Sequence, residues 1–270
     1  MTRTRRPLTA RAATVSFATA ALAALALSGC GGTADPQSAA DDTTPRTAAS
    51  AGSPAPSGAG ASPEDSASSP VAAATAVAVL DADVAIHSAP EGDTLTTLTA
   101  TTPLGTTRVL RVIAASPDGA WLQVRVPARP NNSDGWVAAQ DVSVQAVRHH
   151  ITVDLSDREL VLFEDGVEVM AATVAIGTSQ NPTPTGEFFL TDKLSTDPDG
   201  AYGPYALGVA AWSETLSEFA GGDGQIGLHG TNEPGLLGQE VSHGCIRVAN
   251  DVIEALAAEL PLGVPVDIRA

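Results

Sequence analysis

Positive charge is scarce in this chain: 14 Lys and Arg stand against 31 Asp and Glu, a formal net charge of −17. Nucleic-acid binding needs a basic footprint and is excluded as a class. A cationic partner is compatible with the surplus of acid, although such a surplus ordinarily serves solubility. Cysteine is scarcer still, with only Cys30 and Cys245, so the dense disulfide frameworks of small secreted domains are ruled out. The apolar stretch Ala12 to Ala26 falls short of the ~20 residues a transmembrane helix needs. From Gly31 to about Pro70 large apolar residues are almost missing, leaving Ala, Ser, Thr, Pro, Gly and Asp. Such a composition cannot bury enough surface to offset chain entropy, and about 40 residues of it predict a disordered tether with an r.m.s. span of ~35 Å.

What is present is concentrated in one stretch, His229 to Arg247, which reads HGTNEPGLLGQEVSHGCIR. A thiol is a useful nucleophile only as thiolate, and a free cysteine of pKa about 8.5 is only ~3% ionised at pH 7. A nearby imidazole favours the thiolate through a thiolate-imidazolium pair, and His229 and His243 are the candidates. Ile226 and Leu228 alternate in Gln225 to His229, which predicts a short strand delivering His229 at its end. The carbonyl of Gly230, which has no side chain in the way, is placed to fix the imidazole tautomer. Gly244 permits a sharp turn before Cys245 and a close approach of backbone N–H donors to a substrate carbonyl, an oxyanion site. Two other readings use the same residues. His229, His243 and Cys245 are all zinc-ligand types, though no fourth ligand accompanies them. His243 is also a candidate base, because residues 243 and 245 lie on one side of an extended segment.

The stretch resembles the catalytic signature of the L,D-transpeptidases, the cysteine enzymes that cross-link bacterial peptidoglycan. The first His, the Ser242-His243-Gly244-Cys245 turn, an apolar residue and Arg247 are all in place, with His229 and Cys245 sixteen residues apart. The resemblance extends to Asn181-Pro182-Thr183-Pro184-Thr185-Gly186-Glu187-Phe188 and to Tyr202-Gly203-Pro204-Tyr205, and covers about residues 148–270. It implies Cys245 as nucleophile, His229 as base and the Gly230 carbonyl as its orienting partner. Ser242, His243, Gly244 and Arg247 would shape the turn and the oxyanion site, and Tyr202 or Tyr205 would contact substrate, with a core role for Tyr205 equally open. The implied reaction is acyl transfer from a tetrapeptide stem, with release of D-Ala, a thioester intermediate and attack by an acceptor amine. Peptidoglycan stem peptides are then the partners, carbapenem-type β-lactams covalent inhibitors, and no metal or organic cofactor is required. An L,D-carboxypeptidase, with water as acceptor, and a non-catalytic wall-binding lipoprotein are the alternatives.

Along the chain, Arg3, Arg5, Arg6 and Arg11 precede the apolar stretch, and Leu27-Ser28-Gly29-Cys30 closes it. This is signal-peptide organisation over residues 1–29. The closing four residues resemble a lipobox, which implies lipidation of Cys30 and anchoring on the outer face of the bacterial cytoplasmic membrane. With one thiol an anchor and the other a nucleophile, no disulfide is expected. Removal of residues 1–29, with their four Arg, takes the net charge from −17 to −21. Residues 30–70 form the tether.

Residues 71–147 carry short β-type runs at Val77–Val79, Arg108–Ile113 and Leu122–Val126, parted by turn signals and with Trp121 and Trp136 as candidate core aromatics. A small β-barrel is expected, and Arg129-Pro130-Asn131 with Gly135-Trp136-Val137 resembles SH3-like domains. For residues 148–270 the expectation is a β-rich catalytic domain with one or two short helices. One is expected at Ser213 to Phe219. The other is capped by Asn250 or Asp251 and buries Val252, Ile253, Leu256, Ala257 and Leu260. Asp192 to Pro204 reads as a loop over the cleft and His149-His150 as a solvated linker pair.

Overall fold

Strand runs of four to ten residues dominate residues 74–219 and 221–270, which the computed structural model describes. The expected signal peptide, the expected lipidation site Cys30 and the expected tether lie outside the described residues. The first seven strands are β1 (Thr75–Val79), β2 (Val84–His87), β3 (Thr94–Leu98), β4 (Val109–Ala115), β5 (Trp121–Arg125), β6 (Asp134–Ala138) and β7 (Ser143–Val147). They form one antiparallel sheet in the order β3-β2-β6-β5-β4-β1-β7. Its own residues contribute an aliphatic core, including Leu80, Ile86, Leu110, Val124 and Val137. Trp121 and Trp136 stay half-buried and outside this core, contrary to expectation. Trp121 instead stands edge-on to His87 at 5.1 Å.

The second domain follows with β8 (His149–Asp154), β9 (Glu159–Glu164), β10 (Val167–Thr173), β11 (Ile176–Gly177), β12 (Gly186–Ser195), β13 (Tyr205–Trp212), β14 (Gln225–His229), β15 (Glu240–Ser242), β16 (Ile246–Arg247), α1 (Asn250–Glu259) and β17 (Pro265–Arg269). Eight of these strands form a mixed sheet, β10-β9-β8-β17-β12-β13-β14-β16, and β11 pairs with β15. Helix α1 buries Ile253, Leu256 and Ala257 against this sheet, as the helical spacing predicts. Its N-cap is Ala249, without a side-chain cap. The Asn250 side-chain carbonyl oxygen accepts from Thr231 N–H at 2.8 Å instead, tying the helix start to the residues that follow His229.

The expected helix at Ser213 to Phe219 does not form. Ser213 Oγ does accept from Leu216 N–H at 3.1 Å, a cap-like contact. However, the Ser213 and Leu216 carbonyls accept from the Arg129 guanidinium, at 2.5 and 2.9 Å, so they are drawn away from helical partners. The loop expected from Asp192 is shorter, because β12 continues to Ser195 and Asp192 is buried. His149 and His150 are not solvated: both lie on β8, with His150 buried 3.0 Å from Asp267 and His149 3.5 Å from Glu259.

The two sheets meet through strands buried on both faces. Successive side chains of a strand point to opposite faces. On β12 Phe188 joins the core of the second domain while Phe189 joins that of the first, and on β13 Val209 and Ala210 divide in the same way. The described residues accordingly form one compact unit.

Candidate active site

Strand pairing accounts for the sixteen-residue spacing. β14 and β16 are parallel neighbours, with Leu228 opposite Ile246 and His229 opposite Arg247. Adjacent parallel strands need a crossover of a dozen or more residues, and residues 230–245 supply it. One residue earlier in the same register, Cys245 lies beside Gly227. Because i and i+2 of a strand share a face, Cys245, Arg247 and His229 project to the same side. Gly227 leaves the space between them open: a Cβ there would stand 3.7 Å from His229 Cδ2 and 4.0 Å from Cys245 Sγ. Its N–H also points at the sulfur, 3.4 Å away.

His229 is buried, with Nδ1 2.6 Å from the Gly230 carbonyl. A carbonyl only accepts, so Nδ1 carries the hydrogen and Nε2 keeps its lone pair in the neutral ring. Burial pulls the imidazole pKa down to about 4; the Gly230 carbonyl opposes this and the Arg247 charge adds to it. Burial also pushes the Cys245 thiol up, against the Gly227 N–H and Arg247, which both pull it down. Burial thus works against charge on either member of the pair. The thiolate-imidazolium pair expected from sequence is disfavoured because both charges would have to form out of water.

The turn is held from three sides. Ser242, buried, donates to the Cys245 carbonyl at 2.6 Å and accepts from Gly244 N–H at 3.1 Å. Gly244 adopts φ +117, where a side chain would also meet Ile226 Cδ1 at 2.9 Å. Thr183, buried, donates to the Gly244 carbonyl and accepts from Gly177 N–H, both at 2.9 Å. Gly244 N–H is thus turned towards Ser242, which takes it out of the expected oxyanion donors. Thr183 and Gly227 received no role from sequence, although a lone glycine inside a strand signals close approach.

His243 is exposed and stacks on Phe219 at 4.7 Å, with no hydrogen-bond partner for its ring among the described residues. Of the two histidines only His229 is buried and oriented. Tyr202 stands edge-on to the His229 ring at 4.7 Å. Its phenol pKa is raised by burial and then by Cys245, with Arg247 opposing. Tyr205 packs against the core of the second domain. Arg247 reaches Glu233 at 3.2 Å. Cys245 opens on two cavities, one of about 220 Å³ lined by Tyr202, His229, Ser242, His243 and Arg247, the other of about 600 Å³. Away from the site, His149, Glu164 and Glu259 bring one ligand atom each within 4.8 Å of one another, a grouping that the His149–Glu259 contact explains.

A buried histidine with a free Nε2 that shares a cavity and a strand face with a cysteine on a mixed β-sheet fits a cysteine acyl-transfer type of site. The family of the L,D-transpeptidase catalytic domain called YkuD matches residues 148–268. The chain is 31% identical over 153 residues to the putative L,D-transpeptidase YkuD of Bacillus licheniformis, covering 54% of this chain and 85% of that one. It is 29% identical over 190 residues to its namesake in Bacillus subtilis, covering 68% and 98%. The solved L,D-transpeptidase 3 from Mycobacterium tuberculosis, in complex with a faropenem-derived adduct, is 15% identical, covers 71% of this chain and 97% of that one, and has a TM-score of 0.40. The chain belongs to the YkuD family of L,D-transpeptidases.

Proposed function

We propose that the protein forms peptidoglycan cross-links by two acyl transfers at Cys245. In the first, His229 Nε2 takes the thiol proton as Sγ bonds to the carbonyl carbon between the L-centre of a stem diamino acid and the terminal D-Ala. The C–N bond breaks, the proton passes to the departing amine, and a thioester remains. In the second, His229 takes a proton from an acceptor amine as it attacks the thioester, and the thiol is regenerated. The Cys245 amide serves the developing oxyanion. Ser242, Gly244 and Thr183 hold the turn, and Arg247 favours negative charge on the sulfur. The protein is exported and anchored by a lipidated Cys30 on the outer face of the cytoplasmic membrane, with residues 30–70 as tether and residues 71–147 as an SH3-like module. Carbapenem-type β-lactams acylate Cys245.

The observation that carries this reading is the tautomer of His229. Its Nδ1–H is fixed on Gly230 O in a ring that burial keeps neutral, and its Nε2 lone pair is left for the cavity it lines together with Cys245. The test is intact-mass analysis of the folded protein with a carbapenem and with a tetrapeptide muropeptide. One covalent adduct at Cys245, lost in Cys245→Ala, supports it; a folded wild type without adduct overturns it. Products with and without an acceptor amine then separate transpeptidase from carboxypeptidase, since water resolves the same thioester.

A further inference from the structure

The larger cavity beside Cys245 is not built by the catalytic domain alone. Pro103 and Leu104, from the connection between β3 and β4 of the first sheet, line it together with Leu194, Phe219, Ile226 and Cys245. Leu104 sits on a short loop closed at its base by the Thr101–Thr107 bridge. Thr102 anchors that loop across the domain boundary: its buried hydroxyl donates to Asp192 Oδ1 on β12 at 2.5 Å. The same hydroxyl oxygen accepts from the N–H groups of Leu104 and Thr106, at 3.3 and 3.2 Å. The result is a leucine left 53% exposed yet fixed at the edge of the cavity. Exposed apolar surface is unfavourable in water, so a leucine fixed in this way gains only from what enters the cavity. Most of the lining is apolar, and its one charged side chain is the acid Asp223. These are the surroundings of an aliphatic chain, whether uncharged or ending in an ammonium.

We propose that the first sheet domain is part of the acyl-donor groove, and that Leu104 is a specificity-determining residue packing on the aliphatic side chains of the donor stem peptide. This rests on the acyl-transfer reading of Cys245. The donor is the occupant because the groove is continuous with the sulfur to which the donor becomes bonded.

The experiment measures D-Ala release from a tetrapeptide muropeptide by the full chain, alongside alkylation of Cys245 by iodoacetamide. Leu104→Ser should raise KM for the donor roughly 5- to 10-fold, about 1 to 1.4 kcal/mol of lost apolar contact, without slowing alkylation. Thr102→Val, which removes the anchor but keeps the shape, should shift KM in the same direction. Leu95→Ser, at a leucine comparably exposed on β3 but not in the lining, should leave it unchanged. An unchanged donor KM in Leu104→Ser, or a change confined to the acceptor, overturns the proposal. Should Thr102→Val not fold, Leu104→Ser decides alone. A wild type that is alkylated at Cys245 but releases no D-Ala overturns the acyl-transfer reading, and this inference with it.

Discussion

The two sheets draw on each other to different degrees. The larger is filled almost wholly by its own strands and α1, with Phe188 and Leu190 turned inward, and of the described residues takes in only Val77 and Val147 from the first sheet. The smaller borrows from its neighbour: Phe189 and Ala210 belong to the second domain in sequence and to the first domain's core in space. Polar contacts repeat the pattern. Asn131 pairs with both the N–H and the carbonyl of Trp212, at 2.9 and 2.8 Å, as a strand would. Arg129 donates to the carbonyls of Ser213, Leu216 and Asp223, in the segment that brings Phe219 onto His243. The lesson is that a domain boundary drawn by sequence composition need not be a boundary in packing.

The contrast can be tested at four strengths. The largest effect belongs to the catalytic side alone: His229→Ala should cut Cys245 acylation by about 10³-fold, within the range for a lost general base, whereas His243→Ala should cost less than about tenfold. Equal losses in stopped-flow acylation would mean that burial and orientation do not distinguish the two rings. Next, Phe189→Ala should cost about 3 to 5 kcal/mol in a urea melt while unfolding stays a single transition. Two separated transitions in the wild type would show that the shared core does not couple the domains.

The third concerns pH. His229 has a folded pKa of about 4 against an ordinary value of 6.5, so between these values the unfolded chain binds more protons. Stability from this residue is complete above pH 6.5 and is lost as pH falls towards 4, on the order of 3 kcal/mol. His229→Gln should lose less stability than wild type between pH 6.5 and 4.5, and identical slopes would count against a buried neutral ring. Acylation of the wild type should fall off as pH drops through about 4. The smallest effect is expected for Arg129→Lys, which keeps charge but loses the fork: about 1 to 2 kcal/mol. Amide exchange should become faster across residues 213–224, and unchanged exchange there would show that the clamp contributes nothing.

Much of the site was legible in sequence because it is written in consecutive residues. The alternation in Gln225 to His229 located β14 residue for residue, and glycine at 230 and 244 fitted a carbonyl partner and a turn. The protonation states were not legible, since they depend on how deeply the pair is buried. β13 was missed because Tyr205–Trp212 is an apolar run with glycine and alanine and without alternation, as a strand covered on both faces must be. The adjacent Phe188 and Phe189 carried the same message. The failed helix at Ser213 shows long-range override: its cap contact forms, but Arg129, 84 residues earlier, takes the carbonyls. The contribution of Leu104 was invisible for the same reason, as nothing near it in sequence points to Cys245.

The phenylalanine doublet of β12 also limits how such enzymes can be assembled. An exchanged N-terminal module would have to present a socket shaped for Phe189, or leave a large ring wet on the back of the catalytic sheet. Recombination at this junction is therefore confined to modules that already fit that ring, however well the linker is chosen.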